Sequence, residues 1–126
     1  MDLDEKKIQE IRRLIPQLVK EGLISRKEEN KSLVEFYMAL SEEALKSSRV
    51  VYKVSTDEEI AKLVGVSDFK GFVWVINPAY YSMFYAANAL LSSLGVKIHS
   101  EVGAHKLTFQ AFVYYFYLTG KIKAKY

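Results

Sequence analysis

The chain has 126 residues, half of them apolar, and a formal net charge of +3, which fits one domain with enough apolar content for a real core. It has no cysteine, so a disulfide framework and any thiolate metal site are excluded. The first segment, MDLDEKKIQE, is charged and has no apolar leader, so the chain reads as a protein of the reducing cytoplasm.

Ile8, Ile11, Ile15, Leu18 and Val19 recur at helical spacing. Pro16 removes one backbone hydrogen bond inside that run and is expected to kink the helix or split it near Leu14, with Gly22 closing the segment. Ser25 with Glu28 three residues on reads as a capping box for a long amphipathic helix ending near Lys53. Its apolar face would carry Leu33, Phe36, Tyr37, Leu40, Ala44, Leu45, Val51 and Tyr52. Its charged face would carry Glu35, Glu42, Glu43, Lys46 and Arg49. Thr56 and Glu59 make a second capping box, for a short helix ended by Gly65.

Residues 69 to 94 read as one apolar helix that begins before Pro78, bends there and ends at Gly95. The run FVWVI, residues 72 to 76, has strand propensity, but it lies flush against a helical pattern with no hairpin turn. Between residues 71 and 96 no charge occurs, yet Asn77, Pro78, Ser82, Asn88, Ser92 and Ser93 interrupt the stretch. It therefore reads as a buried helix and not as a membrane span. After the link VKIHS, Ser100 is expected to cap a last helix through Leu107, Phe109, Phe112, Val113 and Phe116 to Gly120. No segment alternates at period two over any length. The sum predicts an all-α fold, an up-and-down bundle of four to five helices forming a single domain over residues 1 to 126.

Thirteen of the seventeen aromatics fall between Phe69 and Tyr117, more than one dry core of this size needs. A buried tyrosine also demands a partner for its hydroxyl. A homodimer with Tyr and Phe at its contact is the simplest expectation. Beyond Ser67 the cations are Lys70, Lys97, Lys106, Lys121, Lys123 and Lys125, and the acids are Asp68 and Glu101. The basic tail reads first as a solubilising one; a phosphate-bearing partner, RNA or a nucleotide, is the sharper reading.

Motifs for chemistry are scarce. The two histidines, His99 and His105, have one acid nearby, Glu101, so no metal is expected. Neither GxxxxGK nor GxGxxG is present, and no cofactor is expected. The carbonyl of Trp74, freed by Pro78, needs water or a side-chain donor. That locates a candidate ligand pocket at Asn77, Tyr81 and Tyr85, with His99 as a neighbour.

The stretch AYYSMFYAANALLSSLG, followed by VKIHSEVGAHKLTFQAFVYYFYLTGKI, resembles the HEPN domain family, in particular its small prokaryotic and archaeal branch with an AYYxMFxAAxALL helix. Gly95, His99, Phe112-Val113 and Thr119-Gly120-Lys121 match that branch, as does the EGLI turn at residues 21 to 24. The resemblance implies a helical bundle that dimerises through its long helices. It implies a partner too, a minimal nucleotidyltransferase, in a two-gene cassette of the toxin–antitoxin kind. Active members of the family are metal-independent RNases whose Arg and His, with four to six residues between them, meet across the dimer. Such a His moves the 2′-hydroxyl proton while the Arg stabilises charge on the phosphate.

This chain departs from that pattern. Its last arginine is Arg49, and the branch's Arg and His positions are here Pro78 and Tyr85. Neither can do that work near neutral pH. Relatives commonly continue past the position of Tyr126 into another helix, whose loss would leave an apolar groove for a partner. The expectation is a non-catalytic HEPN-type protein that dimerises and binds a nucleotidyltransferase or a nucleotide. The alternatives are an RNase using His99, His105 and Lys97, or a purely structural helical subunit.

Overall fold

A computed structural model describes residues 3 to 122 and shows an all-α protein with one small two-stranded sheet. In chain order the elements are α1 (Glu5–Lys20), β1 (Ile24–Arg26), a 3-10 turn (Glu28–Leu33), α2 (Val34–Thr56), α3 (Glu58–Leu63), α4 (Phe72–Ser93), β2 (Val96–Ile98) and α5 (Ala104–Phe112). A π-helical turn, Val113–Tyr117, follows α5. The described residues form two compact units: residues 3 to 35 with 87 to 122, and residues 36 to 86.

The first unit has a conventional interior. Ile11, Ile15 and Leu18 of α1 pack with Ile24, Leu91, Val96, Ala111, Val113, Tyr115 and Phe116. Each fully buried large side chain there contributes about 1.5–3 kcal/mol. Helix α1 starts at Asp4, whose carboxylate accepts from the Lys7 backbone N–H at 2.8 Å. It runs unbroken through Pro16, so the expected split near Leu14 does not occur. Pro16 lies on the exposed side, where water can satisfy the carbonyl it frees.

The first expected capping box is overturned. Ser25 lies in β1, which pairs antiparallel with β2 in the register Ile24↔Ile98, Ser25↔Lys97, Arg26↔Val96. Its hydroxyl meets His99 Nε2 at 2.6 Å and accepts from Asn30 Nδ2 at 3.0 Å. With that oxygen engaged, the following turn begins at Lys27 with no side-chain cap.

Gly95 joins α4 to β2 with φ of +79°, and a Cβ there would lie 2.6 Å from the Lys27 carbonyl oxygen. Its own carbonyl accepts from Lys27 N–H and from Asn30 Nδ2, both at 2.9 Å. Gly95→Ala is therefore expected to cost at least about 2 kcal/mol, left-handed strain plus displacement of backbone. Gly103→Ala, at φ +70° in open space, should cost only the strain. Urea unfolding of the two variants reads the difference.

The second unit holds α2 from Phe36, then α3, then α4 as far as Ala86. The second capping box is overturned as well. Asp57 caps α3, accepting from the Glu59 and Ile60 N–H groups, while the Thr56 hydroxyl donates back to the Tyr52 carbonyl. Glu58 then holds the turn that follows α3, accepting from the Ser67 hydroxyl at 2.6 Å and from Asp68 N–H at 3.2 Å. The Ser67 bond, then the Asp68 bond, keep its carboxyl below the usual carboxylate range. Helix α4 does begin ahead of Pro78, as the apolar pattern predicts. At the other end of the chain Ser100 caps nothing: its hydroxyl donates to the Val102 carbonyl, and α5 starts from Gly103 at φ +70°.

A candidate interaction surface

Helix α2 buries a row that its apolar pattern does not announce. Ser41, Ser48 and Ser55 stand seven residues apart, and all three are buried. Each meets the backbone of α4 or the segment that leads into it. Ser41 Oγ donates to the Ser82 carbonyl at 2.8 Å, and Ser82 Oγ returns the bond to the Ser41 carbonyl at 2.9 Å. Ser48 Oγ donates to the Val75 carbonyl at 2.7 Å. Gly71 N–H donates to Ser55 Oγ at 2.9 Å. A serine side chain is short, so these bonds require close approach of the two backbones. Seven residues are two helical turns, which returns each serine to the same face.

The consequence is an inverted distribution of polarity. The buried residues of this unit are Ser41, Ser48, Ser55, Ala61, Gly71 and Ser82. Phe36, Met38, Leu45, Val50 and Tyr52 of α2 are exposed, so the face expected to form its core is partly in solvent. On α4, Val73, Ile76, Tyr80 and Met83 are 67%, 68%, 49% and 71% exposed. Their spacing of three, four and three places them along one face of the helix. Val75, Pro78, Ser82 and Tyr85 repeat the same spacing two residues along, on the opposite side, and are buried or half-buried. Helix α4 thus has two seams, one of them used inside the unit.

The residues singled out in sequence divide between the units. Asn77, Tyr81 and Tyr85 lie on α4 in the second unit. Asn77 is exposed, Tyr81 is exposed, and the Tyr81 and Tyr85 rings stand 6.1 Å apart. Phe84 touches both rings. Tyr37 is half-buried, and its hydroxyl is raised above the ordinary tyrosine pKa, first by burial and then by Tyr85. The Ser48 hydroxyl reaches the carbonyl of Val75, next in the chain to that of Trp74.

His99 belongs to the first unit and pairs with Ser25. Beside it lies an open cleft of about 510 Å³ lined by Val19, Gly22, Ile24, Arg26 and Lys27. The Arg26 guanidinium is fixed by its Nε, which donates to the Leu94 carbonyl at 3.3 Å, and by the Tyr115 ring 5.4 Å away. Burial raises the Tyr115 hydroxyl's pKa, and Arg26 partly opposes that. Among the described residues no group of three His, Asp or Glu side chains could hold a metal ion. Lys123 and Lys125 of the basic tail lie outside the described residues.

No helix among the described residues is long and apolar enough to cross a membrane. No protein-family model, no curated protein and no solved structure matches this chain.

Proposed function

We propose that the chain is a non-catalytic helical docking protein of the HEPN kind, which forms a homodimer through α4. In keeping with the resemblance, it works beside a nucleotidyltransferase partner in a two-gene cassette. One observation carries the reading: the exposed row Val73, Ile76, Tyr80 and Met83, on a unit whose interior is filled by serines. Charge supports a second copy as its occupant. Helix α4 has no ionised side chain, so two copies meet there without repulsion. An antiparallel two-fold pairing of α4 with its copy opposes the two helix dipoles favourably.

The RNase alternative has one specific observation in its favour, the Ser25–His99 pair beside Arg26 and Lys27. A histidine on that cleft could move a proton while the cations hold phosphate. The experiment is incubation of the purified chain with single-stranded and hairpin RNAs in EDTA. The docking reading expects no cleavage. Cleavage that is lost in His99→Ala would replace it with the RNase reading.

A further inference from the structure

We propose that Ser25 is an acyl-acceptor site, its hydroxyl activated by His99 and its donor an acyl phosphate. Ser25 Oγ stands 2.6 Å from His99 Nε2 and accepts from Asn30 Nδ2 at 3.0 Å. Asn30 is itself held: it is 8% exposed, and its Nδ2 also donates to the Gly95 carbonyl at 2.9 Å. A serine hydroxyl has one proton to give and two acceptor sites. Asn30 takes one acceptor site, and the proton reaches Nε2 when the imidazole carries its own proton on Nδ1. A hydroxyl hydrogen-bonded to an imidazole nitrogen in this way is a nucleophile with its general base in place.

The pair is accessible. Ser25 is half-buried and His99 is exposed, and both line the open cleft beside Arg26 and Lys27. Lys97 stands opposite Ser25 in the β1–β2 register, and directly opposed side chains share a face of the ribbon with Cβ atoms about 5 Å apart. Among the described residues Arg26, Lys27 and Lys97 form no salt bridge with a carboxylate. Such cations favour a donor that carries negative charge and leaves as an anion. An acyl phosphate offers both the reactive carbonyl carbon and a phosphate leaving group. In the step, Oγ forms a bond to the acyl carbon while the bond from that carbon to the phosphate oxygen breaks. The hydroxyl proton passes to Nε2 and then to the departing phosphate. The products are O-acyl Ser25 and inorganic phosphate. Here Ser25 gives up the proton, whereas in the RNase alternative an RNA hydroxyl does. The site lies within the first unit and stands or falls independently of the docking surface.

The test is incubation of the full chain with acetyl phosphate, followed by peptide mass spectrometry before and after hydroxylamine. Hydroxylamine removes ester-linked acetyl and leaves lysine amides. Labile acetyl should appear on Ser25 at least about a hundredfold faster than on the exposed Ser32 and Ser47, which is the size of general-base assistance. His99→Gln should bring Ser25 down to the rate of those two serines. Acetyl confined to lysines, a phosphoryl group on Ser25 in place of acetyl, Ser25 no faster than Ser32 and Ser47, or a rate unchanged by His99→Gln would each overturn the proposal. Should that variant fail to fold, the ratio of Ser25 to the two exposed serines on the wild type decides.

Discussion

On the proposed α4 pairing, replacing Ile76 and Met83 together with glutamate is expected to leave a monomer at concentrations where the wild type pairs. The helical circular dichroism should be unchanged. Both side chains are more than two-thirds exposed in the single chain, so neither replacement removes a core contact. In the paired state both would be desolvated against a second apolar row. A carboxylate there has no cation to meet, because α4 carries none. Central interface positions cost about 2 kcal/mol or more each when lost. Two of them weaken association by roughly a thousandfold. Light scattering of the double variant at a concentration that pairs the wild type checks this. An unchanged mass would move the contact elsewhere.

The second large effect concerns the serine row. Ser48→Leu is expected to destabilise the chain by about 3 kcal/mol, through overpacking between α2 and α4 together with loss of the bond to the Val75 carbonyl. Ser48→Ala removes the bond and keeps the space, so it should cost only about 1 kcal/mol. The pair of variants separates volume from hydrogen bonding. If close approach of the helices is what the serines provide, the leucine variant is much the worse of the two in urea unfolding. Equal losses would mean that the hydroxyl alone matters.

The course of the chain was largely legible from residue pattern, because α1 and α4 are long and their spacing is strong. The start of α4 ahead of Pro78 followed from Phe72, Val75 and Ile76 continuing the pattern. Other features were not legible, each for a physical reason. The strands Ile24–Arg26 and Val96–Ile98 are too short to show alternation, and the pairing that creates them joins residues far apart in sequence. Ser25, Thr56 and Ser100 looked like caps, but their hydroxyls had stronger local or long-range partners.

The buried face of α2 departs from its apolar pattern for a different reason. Apolar side chains do not mark its interior; Ser41, Ser48 and Ser55 do, through hydrogen bonds. Their seven-residue spacing was present in the sequence and was the signal that could have found them. The outer row of α4 was legible only as surplus aromatic content. Its division into a used seam and an exposed one depends on which face meets α2, which the spacing alone does not select.

The central claim is that α4 presents a seam for a second copy of this chain. Sedimentation equilibrium of the wild-type chain across low to high micromolar concentration tests it most directly. The account predicts a mass twice that of the 14.5 kDa chain, dissociating only at the dilute end. A mass of one chain throughout that range would contradict it.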